Sequence, residues 1–90
     1  MSKEQAEITI YLTHFCPYCV RAKSLLNAKA VTYTEIDVGA QPALREQMIQ
    51  KSHGVTSVPQ IFIGETHVGG CDDLFAIESA GKLDAMLFPG

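Results

Sequence analysis

Two cysteines three positions apart are the residues of this chain best suited to chemistry. Cys16 and Cys19 enclose Pro17 and Tyr18, between an apolar strand-like stretch and a helical pattern. Proline is favoured at the first position of a helix, so Pro17 predicts a helix start with Cys16 as its N-cap. The unpaired N–H groups and the helix dipole there would stabilise a thiolate. We therefore predict that Cys16 attacks disulfides and that Cys19, one turn further on and more buried, resolves the mixed disulfide.

A structural zinc site and a pair of inert core thiols are the other interpretations of this spacing. Zinc takes four ligands, and beyond the pair the sequence offers Cys71 and three histidines, His14, His53 and His67, without a second close pair of ligands. An inert packing thiol gains nothing from the mouth of a helix. Thiol chemistry is therefore the favoured interpretation, and no metal is expected.

The composition is typical of one small globular domain. The chain has 90 residues, of which 47% are hydrophobic and 19% charged, so it can bury one modest core. A formal net charge of −3 provides no basic surface for nucleic acid or an anionic membrane, and neither partner is expected. Nothing resembles a signal peptide or a spanning segment. We expect a cytoplasmic monomer whose disulfide is transient and catalytic.

The hydrophobic pattern predicts an α/β chain with the element order β-α-β-α-β-β-α. Residues 1–7 show no periodicity and are predicted to be a frayed end, and residues 82–87 a last short turn. The predicted strands are residues 8–12, 31–38, 60–63 and 66–68, and the predicted helices are 17–30, 41–53 and 71–81. A strand-helix-strand unit implies parallel first strands, and Gly64 opening a two-residue loop implies an antiparallel hairpin. Together they predict a mixed four-stranded sheet.

Three separated motifs of the sequence match one known family. They are Cys16-Pro17-Tyr18-Cys19, Ser57-Val58-Pro59-Gln60-Ile61-Phe62-Ile63-Gly64 and Gly69-Gly70-Cys71-Asp72-Asp73-Leu74. In this order and separation they resemble the glutaredoxins, in particular the small dithiol class found in bacteria. The resemblance covers residues 8 to 88. It implies a single domain over residues 1–90 with the thioredoxin fold, acting as a glutathione-dependent thiol–disulfide oxidoreductase.

The resemblance also implies a site for glutathione, the expected reductant and co-substrate. The backbone of Val58, before a cis Pro59, would pair with the glutathione backbone. Free N–H groups at the start of the third helix would hold the γ-glutamyl carboxylate, and the Asp72 side chain its ammonium group. Taken alone, Asp72 is better explained as a charge that complements the helix dipole. The implied glutathione contacts are Tyr18, Val58, Pro59, Gly70, Cys71 and Asp72.

The sequence departs from the family pattern at two positions near these motifs. Thr13 stands where many glutaredoxins carry a lysine, and Ser57 replaces a more usual threonine. Ser57 keeps the hydroxyl group of the usual threonine. Thr13, in contrast, lacks the positive charge of the family lysine, which would assist the thiolate and the glycyl carboxylate of glutathione. Our hypothesis is that Arg45 or Lys51 supplies the missing cation, and we interpret His14 as a solvated loop residue.

Two other functions remain open from the sequence. One is a thioredoxin-like redoxin reduced by a flavoprotein reductase, against which residues 69–73 argue because they match a glutathione site. The other is a carrier of an iron–sulfur cluster ligated by Cys16 and glutathione, which Pro17 disfavours by family analogy. The expected protein partners are glutathionylated or disulfide-bonded proteins, with ribonucleotide reductase as one candidate. The Cys71 thiol is expected to be a bystander.

Overall fold

The chain forms four strands and four helices in the computed structural model, which describes residues 4–89. The predicted order β-α-β-α-β-β-α is confirmed, and the expected turn near the C-terminus is a short fourth helix. None of the helices among residues 4–89 is both long and apolar enough to cross a membrane. The elements are β1 (Ile8–Leu12), α1 (Pro17–Ala28), β2 (Thr34–Asp37), α2 (Pro42–Lys51), β3 (Gln60–Ile63), β4 (Thr66–Gly69), α3 (Cys71–Ser79) and α4 (Leu83–Leu87).

The four strands form one mixed sheet in the order β2-β1-β3-β4. Strand β1 runs parallel to β2 and antiparallel to β3, so Ile10 lies opposite Glu35 on one side and Ile61 on the other. Strands β3 and β4 form the predicted hairpin. The positive φ in its loop falls on Gly64, at +59°, as a type II′ turn requires of its first central residue.

The central strand β1 is buried on both faces and carries the chain directly to the cysteine pair. Its Ile8 and Ile10 point into the larger core, which α1, α3 and α4 cover, while Tyr11 points into a smaller core with Met48 of α2. Burial of apolar surface on two faces fixes the position of this strand. The loop that begins after Leu12 is therefore held at the C-terminal end of a strand in the middle of the sheet.

The N-terminal residues that the structure describes are bound to the rest of the molecule. The side chain of Gln5 accepts the N–H of Thr32 at 2.8 Å and donates to the carbonyl of Thr32 at 2.7 Å. The Ala6 N–H donates to the Leu87 carbonyl at 2.8 Å. Residues 5–7 are therefore hydrogen-bonded to distant segments, and such bonds leave no periodicity in the sequence. Of the other residues in the predicted frayed end, Glu4 is exposed, and residues 1–3 lie outside the described residues.

Strand β2 begins at Thr34, three residues later than predicted. Val31 is only 6% exposed and belongs to the larger core, but it lies in the loop after α1 and not in the sheet. A buried β-branched residue favours a strand in sequence analysis whether or not its backbone pairs. The predicted start of β2 was therefore too early, because Val31 is buried in the core without being part of the sheet.

Replacing Ala30 by glycine is expected to stabilise the protein. Ala30 is exposed just after α1 and has a φ of +59°, a left-handed conformation that costs an L-residue about 1–2 kcal/mol and glycine almost nothing. After the extra unfolded-state entropy of glycine, we expect Ala30→Gly to raise the free energy of unfolding by about 1 kcal/mol in urea titrations. The control is Ala28→Gly at the last residue of α1, whose φ is not positive, and this variant should lower the free energy of unfolding by about 0.5 kcal/mol. A decrease in both variants would contradict this account of Ala30.

Candidate active site

Cys16 is the N-cap of helix α1, as the sequence predicts. Its backbone is extended, with φ −119° and ψ 106°, and Pro17 occupies the first turn. The Cys16 sulfur accepts the N–H of Cys19 at 3.2 Å and lies 3.9 Å from the Val58 carbonyl oxygen. It is 8% exposed. A thiolate at this position accepts a helix N–H group and faces the positive end of the helix dipole.

Cys19 lies one turn further along α1 and is the more buried of the two thiols, at 2% exposure. Burial, and secondarily a hydrogen bond with Cys16, raises the pKa of the Cys19 thiol to about 12. At neutral pH Cys19 therefore keeps its proton. Both residues are free thiols, so the structure shows the reduced pair. The pair is asymmetric, with one sulfur at the rim and a protonated one behind it.

The loop before β3 closes over the Cys16 thiol. The Val58–Pro59 peptide bond is cis, as the family resemblance implies. Arg45, which is partly buried on α2, donates from Nη1 to the Thr56 carbonyl at 2.8 Å and ties this loop to the helix. The Val58 carbonyl contacts the Cys16 sulfur. The loop therefore places its backbone groups directly beside the reactive sulfur.

A buried polar pair, which sequence analysis missed, supports this loop from behind. Gln60 is 2% exposed, and its Nε2 donates to the Ser57 carbonyl at 3.0 Å. Its Oε1 lies 2.7 Å from Nε2 of His67 on β4, whose ring stacks on Phe62. A buried amide must find such partners. The sequence feature that could have indicated this contact is Gln60 itself, because it is a polar residue next to Pro59 at the start of an otherwise apolar strand.

The start of helix α3 is built by two glycines and an aspartate. Gly69 has a φ of +115°, and a Cβ there would overlap the Asp73 carboxylate. Gly70 is the N-cap, and its N–H donates to Asp73 Oδ2 at 2.9 Å. The Gly70 N–H is therefore not one of the free groups at the start of this helix, because Asp73 binds it. Helix geometry leaves the N–H groups of Cys71 and Asp72 for a ligand.

A groove of about 380 Å³ brings the loop, the start of α3 and the Tyr18 ring together. All six residues predicted to contact glutathione line it, and the carbonyl oxygen of one of them, Val58, lies 3.9 Å from the Cys16 sulfur. Within residues 4–89, no three His, Cys, Asp or Glu side chains are grouped to hold a metal ion. The groove is lined by Tyr18, Val55, Ser57, Val58, Pro59, Gln60, His67, Val68, Gly69, Gly70, Cys71, Asp72 and Asp73.

The third thiol, that of Cys71, lies in the wall of the groove. It is 4% exposed, and burial raises its pKa while Arg21 opposes the rise. At neutral pH Cys71 therefore remains protonated and is a poor nucleophile.

The two cations proposed to replace the family lysine lie in different places. Arg45 holds the loop that borders the groove. Lys51 instead lines a separate cavity of about 280 Å³ with Glu7 and Gly64, at the opposite end of the sheet from Cys16. Lys51 is therefore not placed to act at the groove, and Arg45 is the remaining candidate. The sequence could not exclude Lys51, because the pattern of a helix does not show which end of the sheet each of its residues lies near.

These features together define a class of protein. A mixed sheet in the order β2-β1-β3-β4 with flanking helices is the thioredoxin fold, and a Cys-x-x-Cys pair at the mouth of its first helix, beside a cis-proline loop, is a thiol–disulfide redox site. The glutaredoxin family model matches residues 8–68. The chain belongs to the glutaredoxin family, which has thiol–disulfide oxidoreductase activity.

Individual relatives agree with this assignment. A glutaredoxin from Pseudomonas aeruginosa is 59% identical over 80 residues, covering 89% of this chain and 94% of that protein. The solution structure of glutaredoxin from Brucella melitensis has a TM-score of 0.82 and 51% identity, covering 93% of this chain and 90% of that one. A crystal structure of a buckwheat glutaredoxin–glutathione complex has a TM-score of 0.83 and 30% identity, and the match covers 91% of this chain and 76% of that one.

Proposed function

We propose that this protein uses glutathione to reduce protein–glutathione mixed disulfides and protein disulfides. The observation that carries the proposal is the groove lined by the Val58 loop, the start of α3 and Asp72, in which the carbonyl oxygen of Val58 lies 3.9 Å from the Cys16 sulfur. The buckwheat relative with the same fold is a complex with glutathione, which supports this choice of ligand.

The chemistry of the groove suits glutathione, a peptide with two carboxylates and one ammonium group. Its volume of about 380 Å³ lies in the range of small-molecule sites, about 300–1,000 Å³. The Val58 backbone pairs with the ligand's backbone, and the Cys71 and Asp72 N–H groups at the start of α3 bind the γ-glutamyl carboxylate. The exposed Asp72 carboxylate binds the ammonium group. Tyr18, which is 56% exposed, flanks the bound sulfur.

Reduction of a mixed disulfide requires Cys16 alone. The Cys16 thiolate attacks the glutathione sulfur, a Cys16–glutathione disulfide forms, and the protein thiolate leaves and takes up a proton. The thiolate of a second glutathione then attacks the glutathione sulfur bound to Cys16. Glutathione disulfide is released and the Cys16 thiolate returns, stabilised again by the N–H of Cys19. The same stabilisation makes Cys16 a good leaving group in this second step.

Reduction of a protein disulfide requires both cysteines. The Cys16 thiolate attacks one sulfur of the substrate disulfide, which breaks the S–S bond, releases the other sulfur as the first substrate thiolate and forms a mixed disulfide with the protein. Cys19 loses its proton and attacks the Cys16 sulfur, which releases the second substrate thiolate and leaves a Cys16–Cys19 disulfide. Two glutathione molecules then reduce this disulfide.

A coupled assay tests the choice of reductant. The wild-type protein should reduce a small glutathione mixed disulfide with glutathione, glutathione reductase and NADPH, and the rate should saturate with glutathione. Thioredoxin reductase and NADPH without glutathione should support no turnover. Turnover with that enzyme alone would favour a reductase-linked redoxin, and no turnover in either assay would refute the proposal.

Arg45 is expected to assist glutathione binding as the cation near the groove. Arg45→Gln should raise the KM for glutathione about threefold to tenfold, since the variant loses one charge-assisted contact to the glycyl carboxylate. Lys51→Gln is the matched control, because it removes the same charge from α2 at the far end of the sheet and should leave the KM unchanged. Equal KM values in Arg45→Gln and wild type would remove Arg45 from the glutathione site.

A further inference from the structure

Two apolar side chains beside Cys16 belong neither to the core nor to the groove. Phe15 is 97% exposed and Val20 is 59% exposed. The other large apolar side chains that are exposed among residues 4–89 are Tyr18 and Val55, and both line the groove. The glutathione site therefore accounts for Tyr18 and Val55 but not for Phe15 and Val20.

The positions of Phe15 and Val20 make their exposure informative. They stand immediately before the N-cap of α1 and at its fourth residue, a pair of positions that often pack together as a hydrophobic staple. Here the staple is not formed, because a Phe15 ring at 97% exposure packs on almost nothing. Its ring contact is a tilted one with His14, at a centroid distance of 6.0 Å. Phe15 is next to the reactive Cys16 in the sequence. Removing its aromatic ring from water by contact with a partner would lower the free energy of the complex.

Val20 lies on the opposite side of Cys16 from the groove, and Phe15 is next to the same cavity through its contact with His14. The groove is built on the β3 and β4 side of the sheet. Val20 instead lines a cavity of about 210 Å³ with His14, Thr13 and Asp37, on the β2 side. Because β1 lies between β2 and β3 and leads to Cys16, the two surfaces flank the reactive sulfur.

We propose that Phe15 and Val20 dock the protein half of the mixed disulfide and favour substrates with apolar side chains next to the modified cysteine. The inference rests on the proposed function, in which the glutathione half fills the groove and leaves this side to the protein. Cys16 is 8% exposed, so a substrate must press against the surrounding surface to bring its sulfur within reach.

The charged residues that follow Val20 have partners within this protein, and Lys23, Glu35 and Asp37 border Val20 in the same cavity. The Arg21 guanidinium lies over the Phe75 ring, 5.5 Å from its centroid. Lys23 forms an ion pair with Glu35 at 3.3 Å. Apolar contact is therefore the main interaction that Phe15 and Val20 offer a substrate.

Two glutathionylated peptides test the proposal, Gly-Leu-Cys-Leu-Gly and Gly-Ser-Cys-Ser-Gly. We expect the wild type to show a kcat/KM about tenfold higher for the leucine peptide, from burial of part of the ring against leucine. In Phe15→Ser the preference should fall to within about twofold, whereas Phe15→Leu should keep most of it. Because the ring is almost fully exposed, these variants should fold as the wild type does.

A small mixed disulfide of glutathione and 2-mercaptoethanol separates this inference from the proposed function. Its turnover should be equal in wild type and Phe15→Ser, and no turnover in wild type would refute the function and not the docking surface. A wild type without preference for leucine, or a preference that survives Phe15→Ser, would overturn the inference. Sedimentation that shows a dimer dissociated by Phe15→Ser would assign the surface to a second copy, and would overturn it too.

Discussion

Cys16→Ser is expected to abolish turnover of glutathione mixed disulfides and of protein disulfides alike, by at least about 1,000-fold. Both proposed routes begin with attack by the Cys16 sulfur, and a serine hydroxyl is not ionised at neutral pH. Serine is a favoured N-cap residue, so the start of α1 should be retained and the loss should be chemical. Initial rates with both substrates, with urea titrations to verify folding, measure the effect. Residual turnover of either substrate above about 0.1% of wild type would mean that another sulfur attacks it.

The matched control for this variant is Cys71→Ser. Cys71 is also a buried free thiol, and it lies in the wall of the same groove. Since we infer that its backbone N–H and not its sulfur serves the glutathione site, Cys71→Ser should keep at least about half of the wild-type turnover. A complete loss would show that the third thiol takes part in the reaction.

The parts of the fold that follow from local rules were predictable from the sequence. Pro17 fixes the start of α1, and with it the N-cap position of Cys16. Gly64 supplies the positive φ of the β3–β4 turn. These features depend on a few neighbouring residues, so the sequence pattern is sufficient. The six predicted groove residues came from motif resemblance, and the structure brings them to one groove.

The parts that depend on distant pairing were not predictable. The Gln60–His67 contact joins β3 to β4 across a register irregularity between Ile61 and Phe62, which no local pattern announces. The bond from Arg45 to the loop likewise depends on where α2 lies against the sheet. The Asp73 carboxylate could be placed in the first turn of α3 from its sequence position. Its bond to the Gly70 N–H was nevertheless missed, because both aspartates of that turn fit the helix dipole equally well.

Cys19→Ser should separate the two routes that Cys16→Ser removes together. Turnover of a small glutathione mixed disulfide should stay within about twofold of wild type, because Cys16 and glutathione complete that cycle. Reduction of a protein disulfide should fall by at least about 100-fold, because no thiol of the protein is then positioned to resolve the mixed disulfide. Equal losses in both assays would contradict the resolving role of Cys19.

The protonation of Cys19 adds a dependence on pH that a structural role would not give. Because burial raises the pKa of Cys19 to about 12, its thiol is almost entirely protonated at pH 7. A raised thiol pKa means that the proton leaves only as pH rises, so the thiolate fraction grows about tenfold per pH unit. In wild type glutathionylated at Cys16, release of glutathione by Cys19 should therefore accelerate between about pH 6 and pH 8, by up to about tenfold per unit. A release rate independent of pH would mean that a group of the protein removes the Cys19 proton during attack, so that burial of this thiol does not limit the dithiol route.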